Sequence, residues 1–300
     1  MQTLLFTGGT GYLGHNIMPI LVKDFDVTTI GITDKDMLRA NLANEVPELP
    51  QRYDVVLHAA GKAHTYPKTE AEKQAFFDVN YKGTIHLCDA LEKVGVPNAL
   101  VFISTMAVYG SDGTACVTEE FPLNGDSPYA KSKIMAEEYL KDWCERNNVV
   151  LGILRPSLLA GPNPPGNLGA MINGIKKGWY LSIGKGETRK SFLMVYDIGR
   201  VIPELIKVGG IYNICDDESV SYKEMELLMS SQLNKRPPVS IPLWLAKILA
   251  KVGDCLGKKA PINSIKLDKL TRTSIYSSAK IQSALNWRPL HILENFKIAE

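Results

Sequence analysis

Met1-Gln-Thr-Leu-Leu-Phe-Thr-Gly-Gly-Thr-Gly-Tyr-Leu-Gly14 opens the chain and decides how the rest of it folds. Thr3 to Phe6 is a short apolar run that reads as a buried parallel strand. Gly8, Gly11 and Gly14 follow in the spacing G-x-x-G-x-x-G, and the pattern then turns helical, with Ile17, Ile20 and Leu21 on one face. Such a turn lets backbone approach a pyrophosphate, and the helix behind it offers free N–H groups and a positive dipole end. A side chain at the glycines would block that approach or forbid the backbone angles. The triplet could also be a tight turn that binds nothing. Here it follows a strand and precedes a helix, which is the context a dinucleotide site needs. Gly8, Gly11, Tyr12, Leu13 and Gly14 are therefore candidate cofactor contacts.

The alternation continues outward from this turn. Val27 to Ile32 reads as a second strand, Arg39 to Leu42 as a brief third, and Asp54 to Ala60 as a fourth. An acid at the end of the second strand would grip the adenosine ribose of NAD. Gly31, Ile32 and Thr33 stand there instead, the first acid is Asp34, and no arginine claims a 2′-phosphate, although Lys35 is near. Asn41 and Leu42 are candidates for the adenine edge. The fourth strand ends in the small residues Ala59, Ala60 and Gly61, as a strand edge under a nicotinamide must. A polar loop over 61–75 carries Lys62 and His64, candidates on the substrate side. A long helix is expected from Phe76 to Val94, closed by Gly95 and Pro97. Ala99 to Ile103 is a fifth strand with Ser104-Thr105 at its C-terminal end, where ligands of open parallel sheets bind. Tyr129 to Arg146 is a second long helix and Val149 to Leu154 a sixth strand. The fold class is α/β, a Rossmann-like doubly wound parallel sheet. Composition shifts at RPSLLAGPNPPGN (155–167), which places a boundary between a dinucleotide domain, 1–160, and a smaller substrate lobe, 161–300. Segments near 191–215 can return to pack on the first domain. In the lobe, Leu243 to Leu256 is an amphipathic helix with few charges, read as a cover for the lobe core rather than a membrane-surface helix.

Composition excludes several function classes. A net charge of +2 over 300 residues makes no case for nucleic acid. Five scattered cysteines form no C-x-x-C pair, so they read as reduced thiols filling core space, with no metal site. No apolar run reaches the roughly 18 residues that span a bilayer. The first strand begins at the N-terminus and leaves no signal peptide, so the expectation is a cytoplasmic protein with no membrane partner.

Tyr129-Ala-Lys-Ser-Lys133 sets a phenol and an ammonium four residues apart on one helix face. A nearby cation stabilises a phenolate and so lowers a tyrosine pKa from its ordinary value of about 10. Alone, Y-x-x-x-K is common on solvated helix faces. It gains force here from its place, one unit after a strand ending in Ser-Thr, in a chain that opens with a dinucleotide turn.

Taken with TGGTGYLG (7–14), LHAAG (57–61), VNYKGT (79–84), ISTMAVYG (103–110), LRPSLLAGP (154–162), RKSFLMVYDI (189–198) and LNWRP (285–289), this motif makes the chain resemble an extended short-chain dehydrogenase/reductase. The resembling branch holds the nucleotide-sugar epimerases, dehydratases and reductases. The resemblance implies Tyr129 as catalytic acid/base, Lys133 on the nicotinamide ribose and Thr105 holding the substrate oxygen. It implies Asn80 as a brace, and Ser104 and Pro156 as cofactor neighbours. Family dehydratases carry Asp-Glu after the threonine; Met106 and Ala107 stand there and cannot transfer protons. On the substrate side the resemblance implies Asn167 at the diphosphate, Leu181 to Ile183 along uracil, and Arg189, Lys190 or Arg272 at a phosphate. The expected activity is NAD(P)-dependent reduction of a UDP-linked 4-keto-6-deoxy (N-acetyl)hexosamine for surface polysaccharide. The alternatives are a UDP-(N-acetyl)hexose 4-epimerase, or a non-catalytic dinucleotide-binding sensor or subunit. The cofactor is NAD or NADP, with NADP preferred because the strand-end acid is missing. The family also implies a homodimer through the 76–94 and 129–146 helices.

Overall fold

The computed structural model describes residues 1–63, 65, 67–110, 116–256 and 262–299. Leu4 and Phe6 of β1 (Gln2–Thr7) point to one side of a sheet and Leu5 to the other, so one apolar run serves two cores. Parallel strands join β1 on both flanks: β2 (Phe25–Gly31) and β3 (Leu38–Arg39) on one, and β4 (Val55–His58) and β5 (Ala99–Ile103) on the other. β6 (Cys116–Val117) lies outside the sheet, and β7 (Val150–Pro156) extends it beyond β5. The strand Gly210–Ile214 closes it beside β7, giving seven parallel strands. The α/β expectation therefore holds, including the order reversal that leaves a crevice between β1 and β4.

Helices cover both faces. α1 (Tyr12–Leu21) packs under β1 through Ile17 and Leu21. It starts earlier than the apolar period suggests, so Gly14 lies in its first turn. A Cβ there would stand 2.3 Å from the Gly9 carbonyl oxygen, so only glycine lets helix and turn lie this close. α2 (Glu70–Phe77) is a second departure, because the expected loop over 61–75 ends at Thr69. The Thr69 hydroxyl accepts from the Glu72 N–H at 3.1 Å while the Glu72 carboxylate accepts from the Thr69 N–H. This reciprocal cap is written in the sequence as T-x-x-E. A π-helical turn, Asp78–Lys82, then joins α2 to α3 (Gly83–Val94) and turns Asn80 inward. α4 (Pro128–Asn147) covers the same face, packing Ala136, Leu140 and Trp143 beside Leu87 and Leu91 of α3.

The C-terminal region adds small sheets and a separate core. β8 (Leu158–Ala160) leads to α5 (Gly166–Lys177), and β9 (Leu181–Ile183) and β10 (Arg189–Lys190) precede β11 (Phe192–Met194), which pairs with β8. α6 (Val195–Val208) returns to the face of α1, burying Ile198, Ile202 and Leu205 there. α7 (Tyr222–Gln232) packs Met225 and Met229 against Met171 and Ile175 of α5. α8 (Leu243–Leu256) follows the strand Val239–Ile241, which pairs with β9. It departs from the expected cover: it rests on the lobe through the small residues Ala246, Ala250 and Gly253, and Trp244, Ile248 and Val252 face solvent. Cys88, Cys144 and Cys215 fill core space, whereas Cys116 and Cys255 are exposed. Among the described residues no helix is long and apolar enough to cross a membrane.

The Thr69 cap is open to a direct test. Thr69→Ala should lower global stability by about 1 kcal/mol in a denaturant titration, and Thr69→Ser should restore it. No difference between the two variants would mean that α2 does not depend on this cap.

Candidate active site

The site grows from the ends of β4 and β5 and from one face of α4. Thr105, just past β5, caps the 3₁₀ turn Met106–Tyr109: its oxygen accepts from the Ala107 N–H at 3.1 Å, which leaves its own O–H to donate elsewhere. Tyr129 stands in the first turn of α4, which the Ser127 hydroxyl caps by accepting from the Ala130 N–H. The Tyr129 phenol meets the Thr105 hydroxyl, and its ring packs 6.1 Å from that of Phe76. Burial raises the phenol above its ordinary pKa, and the Thr105 hydroxyl opposes that rise in part.

Lys133, one turn on, is buried. Its ammonium donates to the Ile103 carbonyl at 2.8 Å and lies 4.4 Å from the centre of the Phe102 ring. Burial brings its pKa down to about 8, while Glu137 pulls it up. The expected lowering of the tyrosine by this cation is not the dominant effect: Lys133 is drawn to Ile103 and Phe102, and burial governs the phenol.

Glu137, one further turn along, is fully buried. It accepts from Arg155 at 3.1 and 2.5 Å and from the Ser104 hydroxyl at 2.5 Å. Arg155 also donates to the Tyr109 hydroxyl at 2.8 Å, and Tyr109 donates to the Asn213 side-chain oxygen at 2.6 Å. Neither Glu137 nor Arg155 is visible as a partner in the sequence, although the spacing 129, 133, 137 puts Glu137 on the catalytic face of α4.

A second polar chain braces the floor. Asn80 accepts from the Lys62 N–H at 2.7 Å and donates to the Lys62 carbonyl and, at 2.9 Å, to the Ser132 hydroxyl. The Thr84 hydroxyl donates to the Asn80 carbonyl, so it must accept from Nε2–H of His58 at 2.9 Å. Nδ1 of His58 then accepts from the Thr7 hydroxyl at 2.7 Å, whose oxygen accepts from the Ala60 N–H. Every hydrogen bond in this chain assumes a neutral imidazole. Burial, with Lys133 adding to it, drives His58 down to about 3.

The cofactor-side residues fit a dinucleotide. Gly8 has φ +78°, and a Cβ on it would stand 2.8 Å from the Ala60 nitrogen, so the turn lies directly against the end of β4. Gly11 precedes α1 with no side-chain cap, which leaves first-turn N–H groups, Tyr12 and Leu13 among them, for an anion. Gly61 keeps a space over the lysine: a Cβ there would come 3.4 Å from Nζ of Lys133 and 3.2 Å from Asn80 Oδ1. β4 ends at His58, short of the expected Ala60, so Ala59 and Ala60 follow the strand, while Pro156 ends β7. The Ser104 hydroxyl is committed to Glu137. At the adenosine end, Asn41 is exposed and its side-chain oxygen accepts from the Ala43 N–H, while Leu42 is buried.

Asp36, absent from the sequence reading, lies at this end. A Cβ added to Gly31 would stand 2.5 Å from its Oδ2. That oxygen accepts from the Thr33 N–H at 3.0 Å and hydroxyl at 2.7 Å, and from the Thr10 hydroxyl of the glycine turn at 3.4 Å. The carboxylate thus fills the place where a side chain on residue 31 would project.

The substrate-side candidates are more dispersed. Lys62 approaches the Phe76 ring, 5.8 Å from its centre, and the same ring packs near Tyr129. His64 lies outside the described residues. Asn167 is exposed in the first turn of α5, Leu181 is exposed on β9 and Ile183 half-buried. Arg189 bonds Ser219 and pairs with Glu224 at 3.6 Å; Lys190, buried, donates to the Ser274 hydroxyl at 3.0 Å; Arg272 pairs with Asp268 at 3.0 Å. The segments of Lys190 and Arg272 are joined by the bridge between Lys190 and Ser274. Among the described residues no cluster of His, Cys, Asp and Glu side chains gathers as a metal site.

The sequence model of the NAD dependent epimerase/dehydratase family matches residues 4–215. The chain is 26% identical over 307 residues to the N-acetyl-alpha-D-glucosaminyl-diphospho-ditrans,octacis-undecaprenol 4-epimerase of Escherichia coli O157:H7, covering 94% of this chain and 89% of that protein. It is 27% identical to the UDP-glucose 4-epimerase of Vibrio cholerae, covering 99% and 94%. A structure of RMD from Pseudomonas aeruginosa complexed with NADPH shares the fold, with a TM-score of 0.75 at 21% identity, covering 99% and 96% of the two chains.

The neutral His58 has a measurable consequence. Its folded pKa, about 3, lies below the ordinary value of 6.5. The unfolded chain therefore binds a proton that the folded one refuses. Its contribution is complete above pH 6.5 and is lost as pH falls from there toward 3. His58→Asn should flatten the fall in denaturation midpoint between pH 7 and 4; an unchanged slope would place the acid sensitivity elsewhere.

Proposed function

Because the chain belongs to the NAD dependent epimerase/dehydratase family and is an NAD(P)-dependent nucleotide-sugar enzyme of extended short-chain dehydrogenase/reductase type, we propose that it moves a hydride at C4 of a diphosphate-linked N-acetylhexosamine. The net reaction we assign is reduction of a UDP-linked 4-keto-6-deoxy sugar to the 4-hydroxy product. One observation carries this reading. Tyr129 and Thr105 meet past the end of β5, the buried Lys133 ammonium is held one helix turn on by the Ile103 carbonyl, and Met106 and Ala107 offer no second proton-transfer group.

When bound, the nicotinamide supplies the hydride. Lys133, near the space kept by Gly61, would hold its ribose, and the first turn of α1 would hold its diphosphate. The Thr105 hydroxyl, which accepts from the Ala107 N–H and meets the Tyr129 phenol, would turn from the phenol to donate to the substrate O4. Tyr129 then gives its proton to that oxygen. The raised pKa keeps the phenol protonated at neutral pH, the form a reduction uses.

A second reading, 4-epimerization, is favoured by the activities of the two curated relatives and by Asp36. A carboxylate returned to Gly31 opposes a 2′-phosphate, which supports NAD(H) over NADP(H). A retained NAD that takes a hydride and gives it back would serve epimerization.

Two experiments test these readings. With UDP-4-keto-6-deoxy-N-acetylglucosamine, nicotinamide absorbance should fall stoichiometrically with product. Conversion of UDP-N-acetylglucosamine to its C4 epimer without net cofactor use would select the second reading. Cofactor binding with no turnover of either sugar would leave a sensor or subunit. Tyr129→Phe should lower kcat by about 10²- to 10⁴-fold with cofactor affinity retained. Asp36→Asn should raise NADPH affinity relative to NADH about tenfold, or ~1.4 kcal/mol, in a fluorescence titration. An unaltered ratio would remove Asp36 from cofactor choice.

A further inference from the structure

The outer face of α8 is apolar, and among the described residues nothing covers it. Trp244 is 64% exposed, Ile248 51% and Val252 53%, at i, i+4 and i+8, so they form one stripe along the helix. At about 100° per residue the buried residues Ala246, Ala250 and Gly253 lie on the opposite side. They pack toward Leu267 of the helix Ser264–Thr271. The helix therefore rests on small residues and holds its large ones outward, the reverse of a helix that covers a core. The surface nearby continues the pattern. Leu181 of β9 and Val239 are register partners, 43% and 71% exposed, and Trp179 is half-exposed two residues before Leu181.

Charge at this end differs from the rest of the molecule. The whole chain has 34 Lys and Arg against 32 Asp and Glu. Residues 173–186 and 234–253, joined by the pairing of β9 with Val239–Ile241, hold Lys176, Lys177, Lys185, Lys235, Arg236, Lys247 and Lys251 and no acid. Lys247 and Lys251 are exposed along one flank of the stripe. The first acid beyond them, Asp254, turns back to accept from the Ser264 N–H and hydroxyl at 3.0 and 2.6 Å.

We propose that α8 docks the enzyme on an anionic phospholipid surface, with Trp244, Ile248 and Val252 entering the headgroup boundary and the surrounding bases meeting lipid phosphates. An exposed tryptophan beside aliphatic residues, flanked by lysines, suits that boundary, where one side is apolar and the other wet. A second copy of this chain suits it less. A two-fold interface pairs a patch with itself, so the bases would meet their own copies with no acid among them. The proposal goes beyond hydride transfer at C4 and does not depend on it.

Sedimentation with vesicles reads it directly. The purified full chain should bind phosphatidylcholine/phosphatidylglycerol vesicles, bind phosphatidylcholine alone weakly, and release as salt rises. Lys247→Gln and Lys251→Gln should each weaken binding about fivefold. Ile248→Ser with Val252→Ser should weaken it about tenfold or more while far-UV circular dichroism and cofactor binding stay unchanged. Tryptophan emission should shift to the blue on vesicle addition, and less so in Trp244→Ser. Absence of binding at low salt, or binding that these changes leave intact, would overturn the proposal. So would self-association in sedimentation velocity that the same changes abolish, since the face would then be an interface between copies.

Discussion

The ion pair between Glu137 and Arg155 fixes where the chemistry stands. Both groups are buried, and the carboxylate is filled by two guanidinium contacts and the Ser104 hydroxyl. A buried pair of this kind adds little net stability, but removing one partner leaves an unpaired charge in a medium that cannot solvate it. Its effect is geometric. Glu137 belongs to α4, Arg155 to β7, and Ser104 to the end of β5, so the pair sets the roll of α4 over the sheet. Because Tyr129, Lys133 and Glu137 share one helix face, fixing the roll at 137 also aims 133 and 129. Arg155 extends the constraint through Tyr109 to Asn213, tying the last strand of the sheet to the turn that Thr105 caps.

The second constraint is the chain of hydrogen bonds from Thr7 through His58, Thr84 and Asn80 to Lys62 and Ser132. It joins the glycine turn, the end of β4, the π-helical turn and α4 without a charged member. Buried polar groups are costly unless all are satisfied, and here each donor finds an acceptor. The result is a floor of fixed shape beneath Gly61. Lys133 enters that floor held by a backbone carbonyl and a ring face, with the Glu137 carboxylate one turn further along α4.

The sheet was legible because its strands are short apolar runs punctuated by glycine and small residues, and each stands within a few residues of its expected place. That Tyr129 and Lys133 share a helix face was legible from their spacing, and that Thr105 follows a strand was legible from the apolar run before it. What escaped the sequence depended on folding back. Asp36 reaches Gly31 across five residues through a turn set by Thr33, and no linear motif records that return. Glu137 and Arg155 are eighteen residues apart on different elements, so neither could be paired by period. The start of α2 escaped for another reason: its low apolar content hid a cap that Thr69 and Glu72 state plainly. In α8 both faces are apolar, one small and one large. Periodicity finds such a helix but does not say which side faces in.

The 3₁₀ turn after Thr105 sets the limits of the chemistry. Met106 is buried among Val108 and Tyr109, and Ala107 lends only its N–H, to Thr105. An elimination of water requires a base at one carbon and an acid at the neighbouring oxygen, and these two side chains can be neither. Nearby, the Phe76 ring packs against Tyr129 and is approached by Lys62. Tyr129 and Thr105 are the phenol and hydroxyl that meet there. A single proton paired with a single hydride changes the oxidation state or the configuration of one carbon. By occupying the Thr105 oxygen with the Ala107 N–H, the same turn fixes how that hydroxyl stands against Tyr129.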